Sequence, residues 1–174
     1  TGKSKGVMQS HNVWFEAALG GDVMYDTRPG DVAYNVMPMY NSGAWATSLF
    51  RSLFCGITLA IDPAFSVKHF WERVRFYGAT QSFTIGAMHM FLWNAPPRPD
   101  DADNPVRFVV SAGMPAAIWE NFERRFDLRI LEWYGAVEGG LAIKAIGEGP
   151  TGSFGKPIPG LDMLVLDERA QECA

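Results

Sequence analysis

Residues 106–135 read VRFVVSAGMPAAIWENFERRFDLRILEWYG, and this stretch decides the fold class. The sequence predicts a strand over 106–113, a helix with Pro115 in its first turn, and a second strand over 129–135. Both strands are largely apolar without strict alternation, which is typical of strands buried on both faces of a parallel sheet. We therefore predict a strand–helix–strand unit whose two strands end at the same edge of the sheet.

The same rhythm extends on both sides of this unit. Strands are predicted over 32–37, 57–61, 80–85 and 141–146, and helices separate the first three of these strands from one another and from the unit. A last strand over 161–167 is expected in a different sheet. The chain is therefore predicted to be an α/β protein with a mainly parallel β-sheet flanked by helices on both faces.

Composition narrows the classes of function. The chain has 174 residues, is 48% apolar and carries a net charge of −4, which argues against a nucleic-acid partner. Cys55 lies in an apolar run and is expected to be a core thiol, which fits a reducing, cytoplasmic compartment. No apolar run reaches the roughly 18 residues of a transmembrane helix.

Four predicted elements end in residues suited to ligand binding, and ligands of such sheets bind beyond the carboxyl ends of the strands. In WYGAVE (133–138), Tyr134 could stack on a ring and Glu138 could bind Mg²⁺, but the residue types alone favour a core tyrosine and a surface glutamate. Similarly, Gly113 in VSAGMP (110–115) suits either close approach of a flat ligand or an ordinary turn. The other two ends are MPMYNSG (37–43) and TIGAM (84–88).

The order of these motifs resembles that of the AMP-forming acyl-CoA synthetases, members of the adenylate-forming superfamily. TGKSKG (1–6) is similar to the end of that family's phosphate loop, and three of the strand ends, MPMYNSG, VSAGMP and WYGAVE, follow in the family's order. GSFGKPIPG (152–160) resembles the stretch that leads into the family's β-barrel subdomain. Within the family, residues 70–88 followed by PPRPDD (96–101) are most similar to the crotonobetaine/carnitine-CoA ligase-like branch.

The resemblance implies a ligase that adenylates a carboxylic acid with ATP and Mg²⁺ and passes the acyl group to CoA. It implies catalytic roles for three residues and a metal-ligand role for one of them: Lys5, Asn41 and Glu138, with Glu138 on the metal. It implies ATP-binding roles for nine residues: Gly2, Lys5, Gly6, Gly113, Met114, Pro115, Tyr134, Gly135 and Val137. It implies that four residues border the acyl pocket: Gly86, Ala87, Trp133 and Gly135.

Three positions depart from the family pattern. Ser4 replaces a proline, Asn41 replaces a histidine, and Val137 replaces a threonine whose hydroxyl would contact the adenylate phosphate. Asn41 and Val137 leave open a non-catalytic nucleotide- or acyl-binding relative as an alternative to the CoA ligase. A second alternative is an adenylating enzyme with a carrier-protein acceptor, which only the C-terminal domain would distinguish.

The resemblance also predicts how the chain is organised. Residues 1–39 would finish one α/β subdomain, 40–147 would form a second with the adenine and acyl sites, and 148–174 would begin the β-barrel. All three would belong to an internal fragment of the large N-terminal domain, with a C-terminal domain of the same protein as its partner. The isolated fragment is expected to be inactive, and exposed apolar surface makes a homodimer plausible. The residues do not fix the acyl substrate.

Overall fold

Within Lys3 and residues 5–173, the part of the chain that this computed structural model describes, seven strands form one sheet. For residues 20–24 only the backbone is described. The strands are β1 (Val32–Asn35), β2 (Thr58–Ile61), β3 (Gln81–Ile85), β4 (Phe108–Ala112), β5 (Arg129–Gly135), β6 (Leu141–Lys144) and β7 (Lys156–Pro157). Their order is β2-β1-β3-β4-β5-β6-β7, with β1 to β5 parallel and β6 and β7 antiparallel to their neighbours. The predicted, mainly parallel α/β sheet is confirmed.

Helices cover both faces of this sheet. On one face lie α1 (His11–Met24) and a helical run formed by α2 (Ser42–Ala44), a π-helical segment (Trp45–Phe50) and α3 (Arg51–Cys55). On the other face lie α4 (Phe70–Tyr77), α5 (Gly86–Asn94) and α6 (Trp119–Phe126), the last preceded by a 3₁₀ turn (Ala116–Ile118). Trp71 of α4 stacks on Phe126 of α6 with ring centroids 4.6 Å apart, which joins these helices into one layer.

The strand–helix–strand unit of residues 106–135 forms as the pattern predicts. Phe108, Val109 and Val110 are each 2% exposed, so consecutive side chains of β4 are buried on opposite faces. Helix α6 begins at Trp119 rather than in the turn at Pro115, because the 3₁₀ turn intervenes. The helix ends at Asp127, whose φ of 49° reverses the chain toward β5.

The predicted strand over 161–167 is wrong. Within the described residues this segment makes only an isolated bridge between Leu166 and Glu172, and Val165 is 72% exposed. Apolar alternation alone does not form a strand when no neighbouring strand completes its hydrogen bonds. The predicted start of a β-barrel therefore stays a prediction.

A further strand, β7, forms within residues 152–160, where no strand is predicted from the sequence. Strand β7 pairs with β6 through Lys156 and Ile143. Gly155, with a φ of +87°, makes this pairing possible, because a Cβ there would lie 1.9 Å from the Ile143 carbonyl oxygen. The sheet also runs across the predicted boundary at residues 39 and 40, since β1 pairs with both β2 and β3. The division into three subdomains remains a prediction.

Candidate active site

Two of the predicted ligand-binding turns touch at the carboxyl edge of the sheet. Gly86 follows β3 and Gly113 follows β4, and a Cβ at Gly86 would lie 2.6 Å from the Gly113 carbonyl oxygen. Gly113 itself has a φ of +91°, a region that favours glycine. Gly86 is therefore required by the close approach of the two turns, and Gly113 by its backbone conformation.

A buried carboxylate holds the Gly113 turn. Glu132 of β5 is 4% exposed, and its carboxylate accepts hydrogen bonds from the backbone N–H groups of Gly113 and of Met114, the latter at 3.0 Å. Burial raises the pKa of Glu132, although the hydrogen bonds from the Gly113 and Met114 N–H groups and the charge of Lys144 oppose this shift. These N–H groups are thus occupied by a side chain of the protein.

The sequence reading missed Glu132. The available signal was a charged residue at the centre of RILEWYG, an otherwise mostly apolar strand, and such a residue is buried only when it has partners.

A cavity of about 460 Å³ lies on the opposite face, between α1, α2 and the segment that follows β5. Three aromatic side chains line it: Trp14, Tyr25 and Trp133. Its remaining walls come from the segment before α1, from α1 and α2, from the π-helical segment and from residues 135–141, with Ile143, Ile158 and Leu161 also contributing. The size and the aromatic walls suit an organic ligand.

The WYGAVE residues meet the segment before α1 at this cavity. Gly135, Val137 and Glu138 line it together with Trp133, and Glu138 is exposed. The Gln9 side-chain amide donates a hydrogen bond of 2.8 Å to the Val137 carbonyl oxygen. The structure therefore brings the chain next to the predicted phosphate loop against the predicted metal ligand.

Other predicted site residues lie near this arrangement or outside it. Lys5 and Gly6 are exposed in the segment before α1, while Gly2 lies outside the described residues. Tyr134 is 43% exposed and packs on Phe154, with ring centroids 5.3 Å apart.

The residues at the ends of β3 and β4 lie apart from the cavity. Among the described residues, the cavity lining does not include Gly86 or Ala87. The Met114 side chain is buried, and Pro115 is half-buried immediately before the 3₁₀ turn.

Asn41 has a structural task in this fold. It is the N-cap of α2, and its side-chain oxygen accepts a hydrogen bond of 2.8 Å from the Gly43 N–H. This bond satisfies one of the free N–H groups at the start of the helical run. Gly43 also lines the cavity, so the hydrogen bond from Gly43 to Asn41 helps to position this part of the cavity wall.

Glu138 fits a magnesium site that is completed by a nucleotide. The described residues contain no group of three or more His, Cys, Asp or Glu side chains able to hold a metal alone. Mg²⁺ is commonly held by one or two carboxylates together with substrate phosphates. An exposed glutamate facing the segment next to the predicted phosphate loop matches that donor set.

The sequence profile of the family described as "AMP-binding enzyme" matches residues 1–174. The chain belongs to this family. The family's acyl-CoA ligases include the medium/long-chain-fatty-acid–CoA ligase FadD17 of Mycobacterium tuberculosis, which is 32% identical over 174 residues, 99% of this chain and 34% of that protein. Long-chain fatty acid transport protein 2 of Rattus norvegicus is 33% identical over 132 residues, 75% of this chain and 21% of that protein. The chain thus spans about a fifth to a third of the length of these relatives.

Solved structures show the same fold. A benzoate CoA ligase from Burkholderia xenovorans LB400 matches with a TM-score of 0.86 at 21% identity, over 98% of this chain and 36% of that one. An O-succinylbenzoate CoA synthetase from Bacillus subtilis, solved with ATP and magnesium, matches with a TM-score of 0.79 at 22% identity, over 100% of this chain and 37% of that one. No helix among the described residues is long and apolar enough to cross a membrane.

Proposed function

We propose that this chain is part of an enzyme that joins a carboxylic acid to CoA through an acyl-adenylate. The observation that carries the proposal is the cavity, where Glu138 faces the segment that follows the predicted phosphate loop. In the first half-reaction, the acid's carboxylate attacks the α-phosphorus of ATP and pyrophosphate leaves. In the second, the CoA thiol attacks the acyl carbon and AMP leaves.

The chain's own residues would supply binding and positioning for this chemistry. Gly2, Lys5 and Gly6 would hold the phosphates through backbone N–H groups and one ammonium. Glu138 would hold Mg²⁺, which when bound neutralises phosphate charge. Charge neutralisation and orientation are the main requirements of an in-line displacement at phosphorus.

The adenine would bind at the opposite side of the sheet edge. It would lie against Gly113, Met114 and Pro115 and pack on the exposed ring of Tyr134. Gly135 lies between this ring and the cavity, where it would border the acyl carbonyl.

We propose that the acyl group enters the aromatic cavity and that an apolar chain is the preferred substrate. The relatives named as fatty-acid–CoA ligases support this choice. The crotonobetaine/carnitine branch is the alternative, and Trp14 together with the exposed Glu16 on the cavity wall would suit a quaternary ammonium group. Comparing kcat/KM for octanoate, crotonobetaine and carnitine distinguishes the two, because each buried methylene favours the apolar chain by about 0.8 kcal/mol.

We further propose that the chain is a segment of a longer enzyme, with residues 148–174 leading toward a β-barrel subdomain and a C-terminal domain completing the site. Its share of the relatives' length supports this view. The isolated chain should then release no pyrophosphate from ATP and an acid. The exposed apolar side chains Leu53, Phe54 and Phe15 are candidates for a homodimer contact or for contact with the rest of the protein.

Glu138→Gln in the full-length protein tests the assignment of the metal ligand. The variant should lose at least tenfold in adenylation rate and require more Mg²⁺. Glu148→Gln is the matched control, since Glu148 is also exposed but does not line the cavity. Equal activity of the two variants at limiting Mg²⁺ would reject the assignment.

A non-catalytic nucleotide-binding relative is the second candidate, and Asn41 and Val137 motivate it. In that case the natural protein would bind ATP without forming adenylate, and Asn41→His combined with Val137→Thr would create activity from none. An active natural protein rejects this candidate. Adding CoA to preformed acyl-adenylate distinguishes a CoA ligase from an enzyme with a carrier-protein acceptor. Only the CoA ligase should convert the acyl-adenylate to acyl-CoA and AMP.

A further inference from the structure

A row of buried polar side chains crosses four adjacent strands on the sheet face covered by α5 and α6. Thr84 pairs in register with Ser111, Ser111 with Glu132, and Glu132 with Lys144. Their exposed fractions are 1%, 0%, 4% and 5%. His89 of α5 extends the row, with its Nε2 2.6 Å from the Thr84 hydroxyl. Burying several polar groups side by side costs folding free energy unless they are hydrogen-bonded, so a row of this kind indicates a role beyond packing.

Glu132 is the member of the row that reaches out of the core. Its two carboxylate oxygens bind the N–H groups of Gly113 and Met114, which are 19 and 18 residues earlier in the chain. Lys144, on the adjacent strand, supplies the compensating charge and places its ammonium 4.7 Å from the Trp119 ring centroid. The carboxylate thus lies on the strand next to a buried cation, while it holds the Gly113 turn through hydrogen bonds.

The same turn is confined from the opposite direction. Gly86 approaches the Gly113 carbonyl so closely that a single methyl group could not be inserted. Gly113 is therefore confined at both of its peptide groups. Its N–H is held by Glu132, and its carbonyl oxygen packs against the backbone after β3. A turn fixed from two sides has one position, which is what a preorganised binding slot requires.

We propose that Glu132 is a positioning residue for the nucleotide base: it fixes the Gly113–Met114 turn that forms one wall of the adenine slot. It touches neither the nucleotide nor the reacting atoms. The inference rests on the proposed function, which places the adenine against residues 113–115. Lys144 acts through Glu132 by balancing its charge.

Glu132→Gln in the full-length enzyme is the test. An amide presents only one acceptor to two N–H donors, so the turn loses one of its two anchors. KM for ATP should rise about tenfold, the size expected when a hydrogen bond to a buried charge is lost. kcat at saturating ATP should stay within about threefold, because the reacting atoms are untouched. KM for pyrophosphate in the reverse reaction should not change, because pyrophosphate has no base.

Asp101→Asn is the matched control. Asp101 is a buried carboxylate that binds Arg125 at 2.7 Å, in the loop at the other edge of the strands, and its loss should lower stability without changing KM for ATP. An unchanged KM for ATP in folded Glu132→Gln overturns the proposal, as does an equal rise in the KM values for ATP and pyrophosphate. If Glu132→Gln does not fold, Glu132→Asp gives the same test, because it keeps the charge but draws it back by one methylene. Absence of adenylation by the unmodified protein would instead reject the proposed function itself.

Discussion

Gly86→Ala separates two possible roles of the turn after β3, as a wall of the acyl pocket or as a support for the Gly113 turn. The added Cβ would lie 2.6 Å from the Gly113 carbonyl oxygen, whereas ordinary contacts begin at 3.4 Å. One of the two turns must therefore move by about 0.8 Å. Both are backbone, so the free energy of unfolding should fall by about 1–3 kcal/mol, the usual cost of overpacking.

Kinetics on the full-length protein then show which ligand depends on this turn. Since Gly86 touches the Gly113 turn and is not part of the cavity lining described here, KM for ATP should rise about three- to tenfold while KM for the acid stays unchanged. Gly56→Ala is the control: Gly56 has a φ of +65° and open space around it, so alanine there costs stability without moving either turn. A rise in KM for the acid alone would reject Gly86 as a support for the Gly113 turn and would indicate that it borders the acyl pocket.

Three further predictions concern the fold. Gly155→Ala should destabilise the protein by more than 2 kcal/mol and release β7, which hydrogen exchange at Ile143 would detect, because its Cβ collides with the backbone of β6 at a positive φ. Asn41→Ala should cost about 1 kcal/mol in urea unfolding through loss of the bond to the Gly43 N–H, whereas Asn41→Asp, which keeps the acceptor, should not. Burial lowers the pKa of His89 from about 6.5 in the unfolded chain to about 4, so its contribution to stability is complete above pH 6.5 and is lost as the pH falls toward 4. The loss totals about 3 kcal/mol at about 1.4 kcal/mol per pH unit, and His89→Gln should remove it; equal pH dependence of the two proteins would contradict the assignment.

The parallel sheet could be predicted because its strands are buried on both faces. Runs of consecutive apolar residues such as Phe108, Val109 and Val110 are typical of strands buried on both faces of a parallel sheet. The pattern failed at residues 161–167, where apolar alternation is present but no partner strand is, and at β7, whose pairing depends on one glycine conformation. Long-range pairing is not encoded in the local pattern of either segment.

The motifs of the candidate site could be identified from the sequence, but the residues that hold these motifs in place could not. WYGAVE and VSAGMP stand out as strand ends, and the structure places the first at the cavity and the second at the Glu132 carboxylate. The role of Glu132 could not be predicted from its local sequence, because its hydrogen-bond partners lie 18 and 19 residues away in the chain. Asn41 shows the converse: its position within a family motif predicts a catalytic role, which stays a prediction, and the structure adds a helix-capping role that the motif does not indicate.

Acid-dependent exchange of labelled pyrophosphate into ATP by the full-length protein would show whether the enzyme forms an acyl-adenylate. The exchange requires reversible formation of an acyl-adenylate and does not require CoA, so it isolates the half-reaction assigned to this part of the chain. We predict exchange that depends on Mg²⁺ and on an added acid, is strongest for apolar chains, and falls at least tenfold in Glu138→Gln. Nucleotide binding without exchange, for every acid in a panel from short to long chains, would contradict it.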